Sequence, residues 1–537
     1  MASAHVDSYI RDHLPQPADW PELVFALPEL QYPEQMNAAE RLIDQAIAEG
    51  HGRRTAIYSS AGNWSYTELH QAANRVANVL VNQAGLVPGN RVLLHCPNNP
   101  ALAAQWLGVL KAGGVVVVAM PMLRAGELET IIKKARISHA VVDQRLADEI
   151  ETADRACSEL EHLLTCGDAG TLEAAMGDES AEFETVATAS DDPALLAFTS
   201  GTTGEPKVCV HFHRDIMAMA DTFSRHVLAP EEQEIFAGTP PFAFTFGLGG
   251  LLVFPLHARA ATVLDETSGL QALLESIERF RVTTLFTAPT AYRAMLDLLG
   301  DHDISSLSKC VSAGETLDKA TSDAWLEATG VRPIDGIGAT EMIHIFISAA
   351  GHDIRPGATG KPVPGYQAVL LDEAGNVMHQ GTGRLAVKGP TGCRYLDDAR
   401  QKDYVHNGWN VTGDTYAIDE DGYFWFQARN DDMIVSGGYN IAGPEVEAAL
   451  MAAPEVAECA VVGAPDAARG QIVKAYVVLA PGFKASDATA KALQDFVKAS
   501  IAPYKYPRAV AFIDELPKTR TGKIQRFRLR QGEEHGS

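Results

Sequence analysis

Apolar residues recur along the chain with two distinct periods. From Tyr66, YTELHQAANRVANVLVNQ places them at three-to-four spacing behind Thr67, with Glu68 in the first turn, and so predicts an amphipathic helix. The short apolar strand RVLLHCPN follows, then a helical stretch through AAQWLGVLKAGG, then the strand VVVVAMP. Strands alternating with helices of about 10–15 residues predict parallel sheets covered by helices. The alternation returns in TLFTAPTAYRAMLDLL and KCVSAGETLDKATSDAWLEAT, and no internal repeat or low-complexity segment interrupts it.

Past Gly383 the pattern shifts to short strands. RLAVKGP and GWNVTGDTYAIDEDGYFWFQ, with turn signals at Asp421-Gly422 and Glu373-Ala374-Gly375, predict antiparallel hairpins. After Arg429, helical patterns at GPEVEAALMAAP and ATAKALQDFVKASI sit among strands at AECAVVGAP, IVKAYVVLA and AVAFIDEL, which predicts a small α+β domain. The expected organisation is a large α/β domain over residues 1–430, with a barrel-like β subdomain, and a small domain over 431–537.

Composition narrows the classes. A chain of 537 residues exceeds one ordinary core, and 46% hydrophobic with 21% charged residues is a globular balance. The first residues carry no basic start followed by an apolar core, and the longest apolar run, Val115–Met122, contains Pro121 and is too short for a membrane span. Seven scattered cysteines, none spaced as CxxC, predict reduced thiols in a cytoplasmic protein. A net charge of −25 argues against nucleic acid or an anionic membrane as partner. One basic stretch, including Lys505, Arg508, Lys518, Lys523, Arg526 and Arg528, reads as a solvated face. The oligomeric state stays open, a homodimer included.

The strand Leu195–Phe198 runs into Thr199, Ser200, Gly201, Thr202, Thr203, Gly204, Glu205, Pro206 and Lys207. Glycines that let the backbone approach an anion, four hydroxyls and a terminal ammonium suit a polyphosphate, although a flexible turn has the same composition. The pattern GxxxxGK[ST] fails, because Pro206 and Val208 stand at its fixed positions.

TSGTTGEPK resembles the phosphate loop of the adenylate-forming superfamily of acyl-CoA synthetases, luciferases and peptide-synthetase adenylation domains. In the family's order follow GIGATEM (336–342), GWNVTGDTY (408–416), ARNDDMIVSGGYNIAGPEVE (428–447) and PKTRTGKIQR (517–526). The resemblance implies ATP, Mg2+ and coenzyme A as cofactor and substrates. It implies that Glu341 holds Mg2+ and Thr340 contacts the α-phosphate, while Asp414 and Arg429 bind the ribose. Gly314, Glu315, Thr316, Asp335, Gly336, Ile337 and Gly338 would wall the adenine site, with Phe426 also on the nucleotide. Lys523 would carry the first half-reaction by offsetting the repulsion between carboxylate and phosphate. The resemblance adds nucleotide phosphates as a second reading for some of Lys505, Arg508, Arg526 and Arg528. Asp431 would be the hinge of the small domain, and Gly437 and Gly438 would line the pantetheine tunnel, where a plain hairpin is the other reading. Asn440 departs from relatives that carry a basic residue there.

Residues 240–250 and 338–348, with APYKYPR at 502–508, look like benzoate-CoA ligases and their 2-aminobenzoate relatives, and the opening AHVDSYIRDHLP looks more like the latter. Phe242, Phe244 and Phe246 alternate as strand residues would, either as core or as walls of an acyl pocket. His344 and Ala313 would border an aromatic ring, with Thr245 or His344 able to sense an ortho substituent. His344 reads equally as a buried structural histidine. His211 and His213 form an HxH without a third metal ligand nearby. An aryl-activating enzyme that loads a carrier-protein thiol and a medium-chain acyl-CoA synthetase are the alternatives.

Overall fold

The structure, a computed structural model, describes residues 3–199, 206–266, 269–429, 433–436, 439–466, 469–501, 505–518 and 524–534. The chain forms two compact units, Met1–Ala368 with Val387–Asn410, and Val369–Ala386 with Val411–Ser537.

The first unit holds two sheets. One runs in the order His162–Cys166, His139–Asp143, Arg91–His95, Val115–Val118, Pro193–Thr199, Lys207–Phe212. Its first five strands are parallel and the last is antiparallel to Pro193–Thr199. Arg91–His95 and His139–Asp143 are buried along their whole length, as expected of parallel strands covered on both faces. The second sheet is nine-stranded, with Ile235–Gly238, Thr284–Thr287, Lys309–Ser312 and Ile334–Gly338 at its centre and Ile345–Ser348 turning back antiparallel. The strand–helix alternation read from the sequence is the one that forms.

One cap is added and one local expectation needs correction. The helix Tyr66–Asn82 is capped by Ser65. Ser65 Oγ accepts from the Glu68 main chain at 3.2 Å, and the Glu68 carboxylate accepts from the Ser65 N–H at 2.7 Å, a reciprocal cap. Phe242, Phe244 and Phe246 do not lie on a strand. Pro240 and Pro241 remove two successive N–H donors, and a helix begins at Thr245–Leu248 and runs on through Phe254–His257.

A six-stranded sheet, most of it in the second unit, runs in the order Val377–Met378, Gln367–Leu371, Gly381–Lys388, Trp409–Ile418, Val405–His406, with Phe424–Arg429 also paired to Trp409–Ile418. Both expected turns are present. Gly375 and Gly422 take φ of +85° and +80°, and their N–H groups donate to Asp372 O and Asp419 O at 3.1 Å. The remainder is an α+β arrangement in which Gly470–Leu479 pairs antiparallel with Val456–Asp466 and parallel with Ala509–Phe512. Helices Gly443–Met451 and Asp487–Ser500 pack on it, and Arg526–Glu534 adds a third whose charged sequence hides its period. Among the described residues no helix is long and apolar enough to cross a membrane.

Candidate active site

The antiparallel pair Pro193–Thr199 and Lys207–Phe212 places Thr199 opposite Lys207. Between them, Ser200, Gly201, Thr202, Thr203 and Gly204 lie outside the described residues, as do Asp431, Gly437, Gly438 and Lys523. Lys207 Nζ donates to Tyr395 Oη at 3.1 Å, and Tyr395 in turn donates to Glu341 Oε1 at 2.5 Å. Burial and the adjoining carboxylate push the Tyr395 hydroxyl far above its ordinary range, so it is a neutral donor. Nothing in the motifs singled out Tyr395. It reaches the site because Cys209 and Tyr395 bridge across two segments far apart in sequence.

Thr340–Met342 form a tight 3-10 turn after the strand Ile334–Gly338. At its end Ile343, buried and β-branched, takes φ +64° and ψ −33°, a conformation that costs on the order of 1–3 kcal/mol. The corner is held by its surroundings. Ile343 N–H donates to Thr340 O at 3.1 Å, His211 Nε2 to the same carbonyl at 2.8 Å, and Thr391 Oγ1 to Met342 O at 2.9 Å. His211 is thereby explained as an anchor, and His213 accepts from the Ala38 N–H elsewhere, so the HxH is no metal pair. Among the described residues no three His, Cys, Asp or Glu side chains gather around a common point. Mg2+ needs no such cage, since one or two carboxylates with substrate phosphates usually hold it, and a half-buried Glu341 with a second oxygen beyond the Tyr395 bond fits that donor set.

The strained corner turns His344 into an aromatic box. Its ring lies 4.6 Å from Phe254, 5.4 Å from Phe223 and 5.8 Å from Phe246, and Phe246 lies 5.4 Å from Phe286. Only 2% of His344 is exposed, and both ring nitrogens are buried without a hydrogen bond of good geometry. Burial pulls its pKa down to about 3, with the Phe246 main chain opposing, so the imidazole is neutral. Gly249 lies against it, and a Cβ there would stand 2.5 Å from Cδ2. The structure thus joins His344 and Phe246 as expected. Phe242 is buried with its N–H on Asn98 Oδ1 at 3.0 Å, and neither it nor Phe244 shares a ring contact with the box among the described residues. Thr245 and Ala313 are buried at the start of a helix and at the end of the strand Lys309–Ser312. Phe223, Phe254 and Phe286 escaped sequence reading because none lies in a motif or in the stretches 240–250 and 338–348.

The adenine-wall candidates sit at strand ends. Gly314 follows Lys309–Ser312 with φ +90°, Glu315 and Thr316 come next in the chain, and Asp335, Gly336, Ile337 and Gly338 belong to Ile334–Gly338. Burial pushes the Asp335 carboxyl well up, against the Gly336 N–H, and its Oδ1 has no partner among the described residues. In the second unit, Asp414 and Arg429 are cross-strand partners, with Nη1 3.1 Å from Oδ1, and Phe426 meets Tyr416 edge-on at 5.5 Å. The basic stretch is largely paired within its own unit. Lys505 meets Glu445 at 2.5 Å, Arg526 meets Glu447 at 2.7 Å, Lys518 meets Glu458 at 2.7 Å, and Arg508 donates to Tyr506 Oη at 3.0 Å.

Residues 44–394 match the model of the AMP-binding enzyme family, and residues 445–523 that of the AMP-binding enzyme C-terminal domain. The chain is 36% identical over 513 residues to the benzoate–CoA ligase of Thauera aromatica, covering 94% of this chain and 97% of that protein. It is 34% identical over 490 residues to the mitochondrial acyl-coenzyme A synthetase ACSM5 of Homo sapiens, covering 88% and 84%. Among solved structures, the anthranilate CoA ligase AuaEII in complex with anthranoyl-AMP aligns with a TM-score of 0.89 at 34% identity, covering 94% of this chain and 99% of that one. Agreement over nearly the whole length places the chain in the AMP-binding, adenylate-forming enzyme family, as an AMP-forming CoA ligase that works with ATP and coenzyme A.

Proposed function

We propose that the acid is benzoate-sized, with 2-aminobenzoate or benzoate joined first to AMP, releasing pyrophosphate, and then to coenzyme A, releasing AMP. The observation that carries this reading is His344, a neutral imidazole with two unbonded nitrogens walled by Phe223, Phe246 and Phe254. Aromatic walls favour a flat ring by ~0.5–1.5 kcal/mol beyond burial. A buried donor and acceptor left unpaired cost ~1–3 kcal/mol, which a carboxylate or an ortho-amino group on the acid would relieve. The likeness to a benzoate–CoA ligase and to an anthranilate CoA ligase supports the same class.

The remaining residues take the roles that the motifs suggest. Lys207 and the loop 199–204 bind phosphates, Thr340 contacts the α-phosphate, and Glu341 supplies the carboxylate for Mg2+. When bound, Mg2+ offsets charge on the phosphate oxygens. Asp414 and Arg429, already paired, grip the ribose diol, and the orphaned Asp335 carboxyl suits an amino group of the base. Lys523 brings its ammonium to the meeting carboxylate and phosphate, and Asp431 is the hinge between domains 1–430 and 431–537, with Gly437 and Gly438 at the thiol tunnel.

The test is CoA consumption over a panel of substituted benzoates, with acetate, hexanoate and cinnamate as controls. A benzoate should have the highest kcat/KM, and His344→Ala should lower kcat/KM for 2-aminobenzoate more than for benzoate. Hexanoate outrunning every benzoate refutes the aromatic assignment and leaves the ligase assignment standing.

A further inference from the structure

Period-two alternation puts Lys207, Cys209 and His211 on one face of their strand, and the bridge from Cys209 brings Tyr395 beside them. That face meets two consecutive residues of the turn at 340–342. His211 Nε2 donates to the Thr340 carbonyl at 2.8 Å, and Tyr395 donates to the Glu341 carboxylate at 2.5 Å while accepting from Lys207 at 3.1 Å. A carbonyl only accepts, so the Nε2–H form of His211 is fixed. Behind it the Asp215 carboxylate lies 3.8 Å from Nδ1, and Asp215 is itself held by Arg394 at 2.8 Å, both fully buried. Arg394 precedes Tyr395 and packs its guanidinium over Phe212 at 4.2 Å. Both contacts on the turn therefore descend from one segment, 394–395, through opposite sides of the chain.

We propose that His211 and Tyr395 are positioning residues that fix the Thr340–Glu341 step for nucleotide-bound Mg2+, with Tyr395 also keeping Lys207 from pairing directly with Glu341. The inference rests on the reading of Glu341 as the metal carboxylate. An ammonium and a carboxylate this near attract each other strongly in a buried setting, and a direct pair would occupy the oxygens that the metal needs. The interposed phenol satisfies both charges with one hydrogen bond each. It leaves the second carboxylate oxygen without a partner among the described residues. His211 does the same for the main chain, opposing the strain at Ile343 that would otherwise let the turn relax.

The experiment measures Mn2+ binding, by water-proton relaxation, to the whole protein with a non-hydrolysable ATP analogue, together with unliganded Tm. Tyr395→Phe removes only the hydroxyl and should weaken Mn2+ roughly 10–100-fold, the range for residues that orient a metal ligand. His211→Leu should act in the same direction, and His211→Gln, which keeps an N–H donor at similar reach, should restore most of the loss. Should Tyr395→Phe fail to fold, the His211 pair decides alone. Mn2+ affinity within roughly twofold of the parent in both Tyr395→Phe and His211→Leu, beside a Glu341→Gln variant that has lost binding, overturns the positioning role and leaves the Glu341 reading intact. Unchanged binding in Glu341→Gln overturns that reading and the proposal with it.

Discussion

A single imidazole shows how much of the chemistry here depends on what a residue is denied. His344 has neither a carboxylate partner nor water-facing surface, so burial holds it neutral with a pKa of about 3 and leaves its two nitrogens without a hydrogen bond of good geometry. Gly249 makes room for it. Gly249→Ala puts a Cβ 2.5 Å from Cδ2 and 2.7 Å from Nε2, so the ring must move into the box or the helix must shift. Overpacking of this kind costs ~1–3 kcal/mol, and kcat/KM for the aromatic acid should fall by roughly tenfold or more, more steeply for 2-aminobenzoate, as read by steady-state CoA consumption. Lys523→Ala tests another single charge. Adenylate formation should drop ~10²–10³-fold, while thioester formation from supplied acyl-adenylate is spared, because the ammonium matters only where two anions meet. Equal losses in both half-reactions would count against that role.

At the scale of elements, the turn at 340–342 and the strand at 207–212 suit the proposed site because each is short and bonded on several sides. The sequence marked both through their residue types. It also marked Glu68 in the first turn of its helix, while the serine that completes the cap went unread. The three phenylalanines show the opposite case, since an alternating pattern of five residues cannot separate a strand from a helix start once two prolines precede it. A linker prediction belongs here as well. Asp431→Pro fixes φ near −65° at the proposed hinge, so adenylation measured by pyrophosphate exchange should persist, while overall CoA-ester formation falls several-fold. Normal turnover in that variant moves the hinge elsewhere.

For the molecule as a whole, buried histidines set the acid limit. Burial draws His213 and His344 down to about 3 and His5 to about 4, against about 6.5 in an unfolded chain. Below that value the unfolded chain takes up protons that the folded one refuses, so stability falls as pH drops from about 6.5 toward 4, by up to ~1.4 kcal/mol per pH unit for each histidine. Asp7, Asp44, Asp192 and Asp215 have lowered values, so their contributions persist until pH falls through the ordinary carboxylate range. The unliganded Tm should therefore decline steadily from pH 6.5 to 4.5, ahead of any carboxylate effect. A flat Tm across that interval would show that these rings find protons or water in the folded state.

The sequence by itself determined the alternation of strands and helices, the two hairpin turns and the family, because periodicity, Gly at positive φ and motif spacing are local and survive in one dimension. It also singled out Lys207, Glu341, Asp414 and Arg429, the charged residues proposed for the nucleotide. Only the tertiary structure decided which partners those residues have. Tyr395 joins Lys207 to Glu341 across 188 and 54 positions, and Arg394 reaches Asp215 across 179. No local pattern encodes such pairings, since a buried tyrosine or arginine in sequence looks the same whether it fills a core or anchors a turn. The aromatic box arose in the same way, from Phe223, Phe254 and Phe286 in three separate stretches that meet only when sheet and helices close around His344.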